Sequence, residues 1–297
     1  MKKVLTMTLN PCIDRTVYMK SFQVGRTNIV NKVIEEAAGK GINVAIGLQH
    51  LQVPVKAMGF AYKEDSSKLY GKLETEHIPY AFVEVDGRLR VNQKLFDESR
   101  AEMTECNEKG MPVSKEDIDK LFGLLKNELC EASILVLSGS VPPGVDKDIY
   151  AVMTSMANEA GVKVVLDAVG DLLREGVKAK PYLIKPNQEE FVKTFLQEEN
   201  LSDAYIQRIA KELLSNGLNY VCLSLGADGA MLISKNTIEK RPAISVPIRS
   251  LQGAGDAMVA GLCKAIYDNE EDKMLEYALN MAASTITLEG TQMGDLN

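Results

Sequence analysis

The second half of the chain alternates short apolar runs with segments of helical periodicity, and this alternation restricts the possible folds most strongly. The predicted strands are 134–137, 162–166, 182–184 and 220–225, and the predicted helices between them include 146–159, 188–195 and 202–215. Such alternation is typical of a mostly parallel sheet that is covered by helices on both faces. Ligands bind to these sheets beyond the carboxyl ends of the strands. We therefore predict an α/β fold with a functional site at that edge.

The first half of the chain follows this pattern less regularly. Strands are predicted at 4–9 and 55–59, and a helix at 43–51. Two further extended segments, 80–85 and 89–95, are joined by Asp86-Gly87, which is a strong hairpin signal. These segments indicate a small β-sheet lid that projects from the α/β core.

The lid sheet is predicted to come from about 12–34 and 80–107, and the whole chain, 1–297, is predicted to be a single domain. The polar stretch 97–110 is interpreted as an excursion from the lid. Ser114 and Asp117 have the spacing of a capping box and predict a helix that ends near Leu129.

Composition excludes several classes of function. A formal net charge of −7 without a basic block argues against a nucleic-acid or membrane-surface partner. The 5 cysteines are scattered and suggest buried small side chains in a reducing compartment, and the 2 histidines are too few for a convincing His/Cys metal site. The apolar run at the amino terminus is too short for a signal peptide. We expect a cytoplasmic protein.

The segment 252–261, Gln-Gly-Ala-Gly-Asp-Ala-Met-Val-Ala-Gly, contains the most informative motif. Small residues at Gly253, Ala254 and Gly255 allow a tight turn whose N–H groups, together with the helix dipole, form an anion hole. Asp256 at its rim suits a base of ordinary pKa, ~3.9, that receives a proton while negative charge develops beside it. The alternative is an Asp that only stabilises the helix start.

Two common nucleotide motifs are absent. Lys40 is followed by Gly41 rather than Ser or Thr, and Ile34 occupies a position where a P-loop requires glycine. Gly253-x-Gly255 lacks the third glycine of the dinucleotide fingerprint, because Met258 stands there.

Polar clusters follow several of the predicted strands, and their order is informative. They are Asn10-Pro11-Cys12-Ile13-Asp14, Ala38-Gly39-Lys40-Gly41-Ile42-Asn43, Ser138-Gly139-Ser140-Val141-Pro142-Pro143-Gly144, Lys185-Pro186-Asn187-Gln188-Glu189-Glu190 and Ser224-Leu225-Gly226-Ala227-Asp228-Gly229. Together with the Gly-Ala-Gly-Asp motif, they resemble the ribokinase-like (PfkB) family of sugar kinases from end to end. The resemblance implies transfer of the γ-phosphoryl group of ATP to a sugar hydroxyl, with Mg²⁺.

The resemblance also implies roles for individual residues. Asp256 would be the base, beside an anion hole formed by Gly253, Ala254 and Gly255. The implied sugar ligands are Asp14 and Asn43, with close backbone approach at Gly39. Asn187 and Glu190 resemble the pair that holds Mg²⁺ through water and orients the phosphates. The implied nucleotide site contains Lys185, Asn187, Ser224, Gly226, Gly229 and Asn280.

The acceptor is expected to carry a phosphate of its own. Alternation places Arg90, Asn92 and Lys94 on one face of a strand. Arg90 and Asn92, with Lys40 nearby, are suited to bind a phosphate through charge-assisted hydrogen bonds, whereas Lys94 is expected to be solvated. The Arg-x-Asn-x-Lys pattern resembles the branch that contains 1-phosphofructokinase and tagatose-6-phosphate kinase, and favours the former.

Several alternatives remain open from the sequence. Asn187 is equally suited to cap a helix, and 226–229 to form a hairpin turn. The fold also permits a non-catalytic sensor of sugar phosphates or nucleotides. Gln252 departs from the family pattern, which has a small or apolar residue there. Family resemblance further suggests a homodimer in which two lid sheets pack together.

Overall fold

The computed structural model describes residues 2–195 and 202–296. The strands in chain order are β1 (Lys3–Thr8), β2 (Cys12–Met19), β3 (Lys32–Ala38), β4 (Val55–Tyr62), β5 (Tyr80–Val85), β6 (Arg90–Asp97), β7 (Glu102–Asn107), β8 (Ala132–Ser138), β9 (Lys163–Asp167), β10 (Leu183–Ile184), β11 (Tyr220–Ser224), β12 (Ala230–Ser234) and β13 (Ile238–Arg241). The α-helices are α1 (Lys40–His50), α2 (Ser66–Thr75), α3 (Lys115–Leu129), α4 (Ile149–Glu159), α5 (Gly170–Gly176), α6 (Gln188–Phe195), α7 (Asp203–Ser215), α8 (Ala254–Asp268) and α9 (Met274–Ile286).

A 9-stranded sheet forms the centre of the molecule, in the order β13-β12-β11-β10-β9-β8-β1-β4-β5. The pairs from β5 to β11 are parallel, and β12 and β13 add antiparallel strands at one edge. The predicted α/β class is confirmed. The two antiparallel edge strands were not predicted: β12 is a short apolar run without a direction signal, and β13, Ile-Glu-Lys-Arg, is mostly charged.

Helices cover both faces of the large sheet and bury a separate core on each side. Leu121 of α3, Tyr150 of α4 and Phe191 of α6 pack on one face. Ile42 of α1 and Leu262 of α8 pack on the other face. The strands between these two layers contribute side chains to both cores, which explains why they have continuous apolar sequences.

A separate 4-stranded sheet has the order β3-β2-β6-β7, and we call it the lid sheet. Its central strands β2 and β6 run parallel, and each pairs with an antiparallel edge strand. The predicted lid is therefore present as a sheet, but with different bounds. No strand occupies 20–31, β3 continues to Ala38, and the polar stretch 97–110 contains β7.

The predicted hairpin at Asp86-Gly87 is wrong. β5 pairs in parallel with β4 in the large sheet, whereas β6 pairs with β2 in the lid sheet, so the turn connects two sheets. Val83 and Val85 of β5 are buried in the main core. Their burial outweighs the local preference for a hairpin, because each buried Val contributes roughly 1.5–3 kcal/mol.

The starts of two helices and the burial of the cysteines were also predicted. The capping box of Ser114 and Asp117 is confirmed at the start of α3. Helix α1 begins at Lys40, three residues earlier than expected. Cys106 and Cys130 are exposed, so the expectation that all the cysteines are buried is wrong. No helix within residues 2–195 and 202–296 combines the length and apolar character needed to cross a membrane.

Candidate active site

A cavity of about 360 Å³ lies between the carboxyl ends of the central strands and the lid sheet. Its walls are formed by Thr8, Asn10, Lys40, Arg90, Asn92, Asn107, Ser138, Gly139, Ser140, Asp167, Ala168, Val169 and Glu190. Within the described residues, Thr8 Oγ1, Asn10 Oδ1 and Ser138 Oγ are buried and have no hydrogen-bond partner. Buried polar atoms are normally paired. Thr8 Oγ1 and Asn10 Oδ1 pack against Gly41 and Gly110, where a β-carbon would lie 2.5 Å from each oxygen. The cavity wall itself is polar and carries charges of both signs.

Helix α8 begins beside this region with an uncapped N-terminus. Its N-cap residue, Gly253, adopts the left-handed conformation, with φ of 76°, which glycine reaches without strain. No side chain caps the helix, so the N–H groups of Ala254 and Gly255 remain available. The Nζ atom of Lys185 lies 3.6 Å from the position that a β-carbon would take on Gly255. The turn therefore has the geometry and the adjacent positive charge of an anion-binding site.

Asp256 lies in the first turn of α8 and is buried. Asn43, in the first turns of α1, donates a hydrogen bond of 2.8 Å from Nδ2 to Oδ2 of Asp256. Asn43 Oδ1 has no partner within the described residues. Gly39 precedes α1 at a point where a β-carbon would lie 2.6 Å from Thr8 Cγ2, so packing against β1 is sufficient to require glycine there.

Burial raises the pKa of Asp256 to about 6, and the Asp167 carboxylate acts in the same direction. The positive charges of Lys40 and Lys185 and the hydrogen bond from Asn43 oppose this increase. The expectation of an ordinary pKa is therefore wrong, because the sequence gives no measure of burial. A carboxylate with a pKa near neutrality is better matched to proton transfer than an ordinary one.

An ion triad that the sequence did not predict lies next to Asp256, and its central residue, Asp167, is buried. Asp167, at the end of β9, pairs with Lys40 at 3.0 Å and with Lys185 at 3.3 Å. Burial opposes ionisation of Asp167, but the two ammonium groups outweigh it and lower the pKa of this carboxyl group. The signal available in the sequence was an Asp directly after an apolar strand. The triad fixes two cations between the anion-binding turn and the cavity.

Asp14, on β2, is held by two side chains of the neighbouring strand β6. Asn92 Nδ2 donates to Asp14 Oδ1 at 3.0 Å, and Lys94 Nζ donates to Asp14 Oδ2 at 2.7 Å. Lys94 also donates to Gln252 Oε1 at 2.8 Å. The expectation of a solvated Lys94 is wrong, because its side chain is only 8% exposed. Alternation correctly placed the three residues of β6 on one face but did not show that this face is covered.

Arg90 lines the cavity at the start of β6. Its Nε donates to the carbonyl oxygen of Asn10, and its Nη1 donates to Asn92 Oδ1 and to the carbonyl oxygen of Glu108. Within the described ranges, no hydrogen bond engages its Nη2. The guanidinium group is thus fixed in orientation while it keeps donors for an anionic ligand.

Asn187 and Glu190 form a reciprocal capping box at the start of α6. Glu190 Oε2 accepts from the backbone N–H of Asn187 at 2.8 Å, and Asn187 Oδ1 accepts from the backbone N–H of Glu190 at 2.7 Å. Glu190 also lines the cavity, and no hydrogen bond within the described residues engages its Oε1. This oxygen fits a Mg²⁺ ion held through water. No cluster of three or more His, Cys, Asp or Glu side chains suited to direct metal coordination occurs within the described residues.

The remaining predicted nucleotide residues lie on neighbouring elements. Ser224, at the end of β11, forms an isolated bridge with Asn187. Gly226 and Gly229 lie in the turn that connects antiparallel β11 and β12, so the hairpin alternative describes the backbone correctly. Asn280 is half-buried on α9, and no hydrogen bond within residues 2–195 and 202–296 joins it to the other predicted residues.

The large sheet, the lid sheet and the acidic residue at an uncapped helix N-terminus define a kinase with a ribokinase-like fold. Solved structures share this architecture: phosphofructokinase-2 from Escherichia coli in complex with potassium has a TM-score of 0.91 and 25% identity, with 100% of this chain and 96% of that chain covered. A possible 1-phosphofructokinase from Thermotoga maritima has a TM-score of 0.89 and 28% identity, with 99% and 95% covered.

The family model for pfkB family carbohydrate kinases matches residues 7–296. The chain belongs to this family and is a phosphotransferase with an alcohol acceptor. Among curated proteins, 1-phosphofructokinase of Vibrio cholerae is 32% identical over 296 residues, covering 99% of this chain and 92% of the relative. The 1-phosphofructokinase of Haemophilus influenzae is also 32% identical, with 100% and 95% covered.

Proposed function

We propose that this kinase transfers the γ-phosphoryl group of ATP to fructose 1-phosphate and produces fructose 1,6-bisphosphate and ADP. One structural observation carries the proposal most directly. The cavity is lined by Arg90 and by Lys40, which pairs with Asp167, and it adjoins a buried Asp256 and an uncapped helix N-terminus. Cations suit an acceptor that already carries a phosphate, and the helix terminus suits the phosphoryl group in transfer. The relatives named 1-phosphofructokinase support the same acceptor.

In the proposed reaction, Asp256 orients the acceptor hydroxyl and takes its proton as the new O–P bond forms. The bond between the γ-phosphorus and its bridging oxygen breaks, and the leaving electron pair remains on ADP. In a loose transition state the hydroxyl needs little activation, so a carboxylate is an adequate base. The raised pKa of Asp256, about 6, still leaves it ionised at neutral pH.

The remaining residues act by position and charge. The N–H groups of Gly253, Ala254 and Gly255 and the ammonium group of Lys185 face the developing negative charge. Mg²⁺, when bound, neutralises phosphate charge, and Asn187 and Glu190 would hold it through water. Asp14, Asn43 and the backbone at Gly39 contact the sugar. Ser224, Gly226, Gly229 and Asn280 form the proposed nucleotide side of the cleft.

An acceptor panel tests the proposal. ADP release would be measured with Mg·ATP and fructose 1-phosphate, tagatose 6-phosphate or fructose 6-phosphate, with unphosphorylated fructose as the control. We expect the highest kcat/KM with fructose 1-phosphate. If the enzyme preferred tagatose 6-phosphate, fructose 1-phosphate would be rejected as the acceptor, but the class of reaction would be unchanged. Tight binding of phosphosugars without turnover of any of them would support the sensor instead.

A further inference from the structure

A buried ammonium group connects the lid sheet to the large core. Lys94, on lid strand β6, donates to Asp14 of the lid and to Gln252 of the core, at 2.7 and 2.8 Å respectively. The side chain of Lys94 is only 8% exposed. Removing an ammonium group from water costs free energy unless it is paired and hydrogen-bonded. Each of its two partners therefore matters, and only one of them belongs to the lid.

Gln252 is held by two lid strands at the same time. Its Oε1 accepts from Lys94 of β6, and its Nε2 donates to Met103 Sδ of β7 at 3.4 Å. The backbone of Gln252 leads directly into Gly253, the left-handed residue that starts α8. Gln252 thus connects the lid sheet to the turn that presents the free N–H groups at the start of α8.

Asp14 is fixed by the same set of contacts. Asn92 and Lys94 each bind one of its carboxylate oxygens, so the carboxylate group cannot rotate without losing a hydrogen bond. Asp14 Oδ1 also accepts from Cys12 Sγ at 3.4 Å, so Oδ2, the oxygen that Lys94 binds, is the one that keeps a further lone pair. The orientation of that lone pair, and with it the position of a sugar hydroxyl, depends on Lys94.

We propose that Gln252 and Lys94 are positioning residues that set the distance between the sugar-binding carboxylate of Asp14 and the anion-binding turn at Gly253. This inference rests on the proposed function, because it assigns Asp14 to the sugar and the turn to the transferred phosphoryl group. Near-attack geometry requires both substrates to be held within a fraction of an ångström. A side chain that is bonded to both lid strands and continuous with the turn supplies that constraint.

The alternative role of Lys94 is to compensate the charge of Asp14, without any part in positioning. The two roles predict different effects of replacing Gln252, because Gln252 carries no charge and is not needed to compensate that of Asp14. Gln252→Leu removes the hydrogen bonds to both lid strands, while the ion pair of Lys94 with Asp14 remains. Gln207→Leu is the matched control, because Gln207 lies on α7, away from the lid sheet, and no hydrogen bond within the described residues engages its side chain.

Steady-state kinetics with the preferred acceptor would be combined with amide hydrogen exchange of the whole protein. For Gln252→Leu we expect the acceptor KM to rise about tenfold, as for loss of one hydrogen bond to a charged group. We expect the KM for ATP to change less than about twofold, since the base and the helix terminus are retained. Amides of β6 and β7 should exchange faster, and those of β1 and β8 at the wild-type rate. Gln207→Leu should match the wild type in all of these measurements.

A double-mutant cycle with Lys94→Met gives a second test. If the two residues form one unit, Gln252→Leu adds little to the effect of Lys94→Met, because the link is already broken. Fully additive effects on the acceptor KM would overturn the proposal. So would an unchanged acceptor KM in Gln252→Leu, or faster exchange throughout the core, which indicates a general role in stability. If the wild type uses none of the acceptors, the proposed function fails, whereas the exchange rates of β6 and β7 still test the link.

Discussion

At the scale of the residue, the proposed base is defined by its surroundings more than by its motif. Burial raises the pKa of Asp256, while Lys40, Lys185 and the hydrogen bond from Asn43 limit that increase. These opposing effects place the pKa at about 6, close to the working range of a proton acceptor. Asp203 also lies in the first turn of a helix, α7, but it is exposed.

The first prediction tests whether Asp256 is the base. Asp256→Asn keeps the size of the side chain and an oxygen that can accept from Asn43, so the fold should be retained. We expect kcat to fall by at least ~10²-fold, with little change in nucleotide affinity. Turnover and ATP binding would be measured on the same preparation. Asp203→Asn, in the first turn of α7, is the control. If both substitutions had equally small effects on kcat, Asp256 would only stabilise the start of its helix.

The second prediction concerns pH. Because burial raises the pKa of Asp256 to about 6, the side chain is protonated below that pH and cannot accept a proton. We therefore expect kcat/KM to decline as the pH falls through about 6. The hydrogen bond from Asn43 lowers this pKa, so Asn43→Ala should move the decline to higher pH. If the decline came from ionisation of the acceptor phosphate, it would occur at the same pH in Asn43→Ala as in the wild type. That outcome would contradict the assignment of the decline to Asp256.

The third prediction concerns the acceptor phosphate. Arg90→Ala removes the fixed guanidinium group, and a charge-assisted contact of this kind contributes roughly 1.5–3 kcal/mol. We expect the acceptor KM to rise about tenfold or more, with the KM for ATP unchanged. Arg15→Ala removes another lid arginine, one that is exposed and paired with Glu35. If Arg90→Ala and Arg15→Ala behave alike, the phosphosugar assignment weakens.

Side-chain environments were the part of the site that the sequence predicted least well. Lys94 lies on the expected face of β6, but the core residue that covers it is distant in sequence. Asp167 follows an apolar strand, yet its two lysine partners come from other elements. Alternation defines a face of a strand, whereas burial and ion pairing depend on the tertiary fold.

At the scale of the element, local signals succeeded where a single segment determines its own structure. Helix α6 begins at the predicted residue, Gln188, and Asn187 and Glu190 explain its start by capping each other. The hairpin predicted at Asp86-Gly87 is wrong because its structure is not determined by a single segment. A turn motif specifies a reversal of the chain, but the pairing partners of β5 and β6 are set by cores far away in sequence.

The fourth prediction separates the two roles of Glu190. Glu190→Gln keeps an oxygen that can accept from the Asn187 N–H, so α6 should remain capped and the melting temperature nearly unchanged. Loss of the negative charge should raise the Mg²⁺ concentration for half-maximal activity about tenfold, the lower end of outer-sphere effects. Glu189→Gln is the control, since Glu189 is exposed and pairs with Lys193. An unchanged Mg²⁺ dependence would leave Glu190 as a cap alone.

At the scale of the whole molecule, the lid sheet exposes apolar side chains and two unpaired edge strands. Val24 and Ile29, in the segment between β2 and β3, are 88% and 82% exposed, and Val33 of β3 is 43% exposed. Exposed edges and apolar groups of this kind are usually covered. The geometry supports the proposal of a homodimer in which two lid sheets pack together.

The fifth prediction tests this assembly. Sedimentation at micromolar concentration should give a dimer for the wild type and a monomer for Val33→Asp, because an unpaired charge in an interface is costly. Val152→Asp, on the outer face of α4, is the control and should remain dimeric. A fully active wild-type monomer would disprove the lid-to-lid dimer.

The strand order of the large sheet also bears on how the molecule is made. From β1, the strands β8, β9, β10, β11, β12 and β13 are added outward on one side in the order of the chain. Since a chain is synthesised from its N-terminus, the neighbour of each of these strands has already been synthesised when that strand is added. Helix α8, which carries Asp256, emerges after all of them. Under the proposed function, a nascent chain is therefore inactive until α8 has been synthesised and has docked on the sheet.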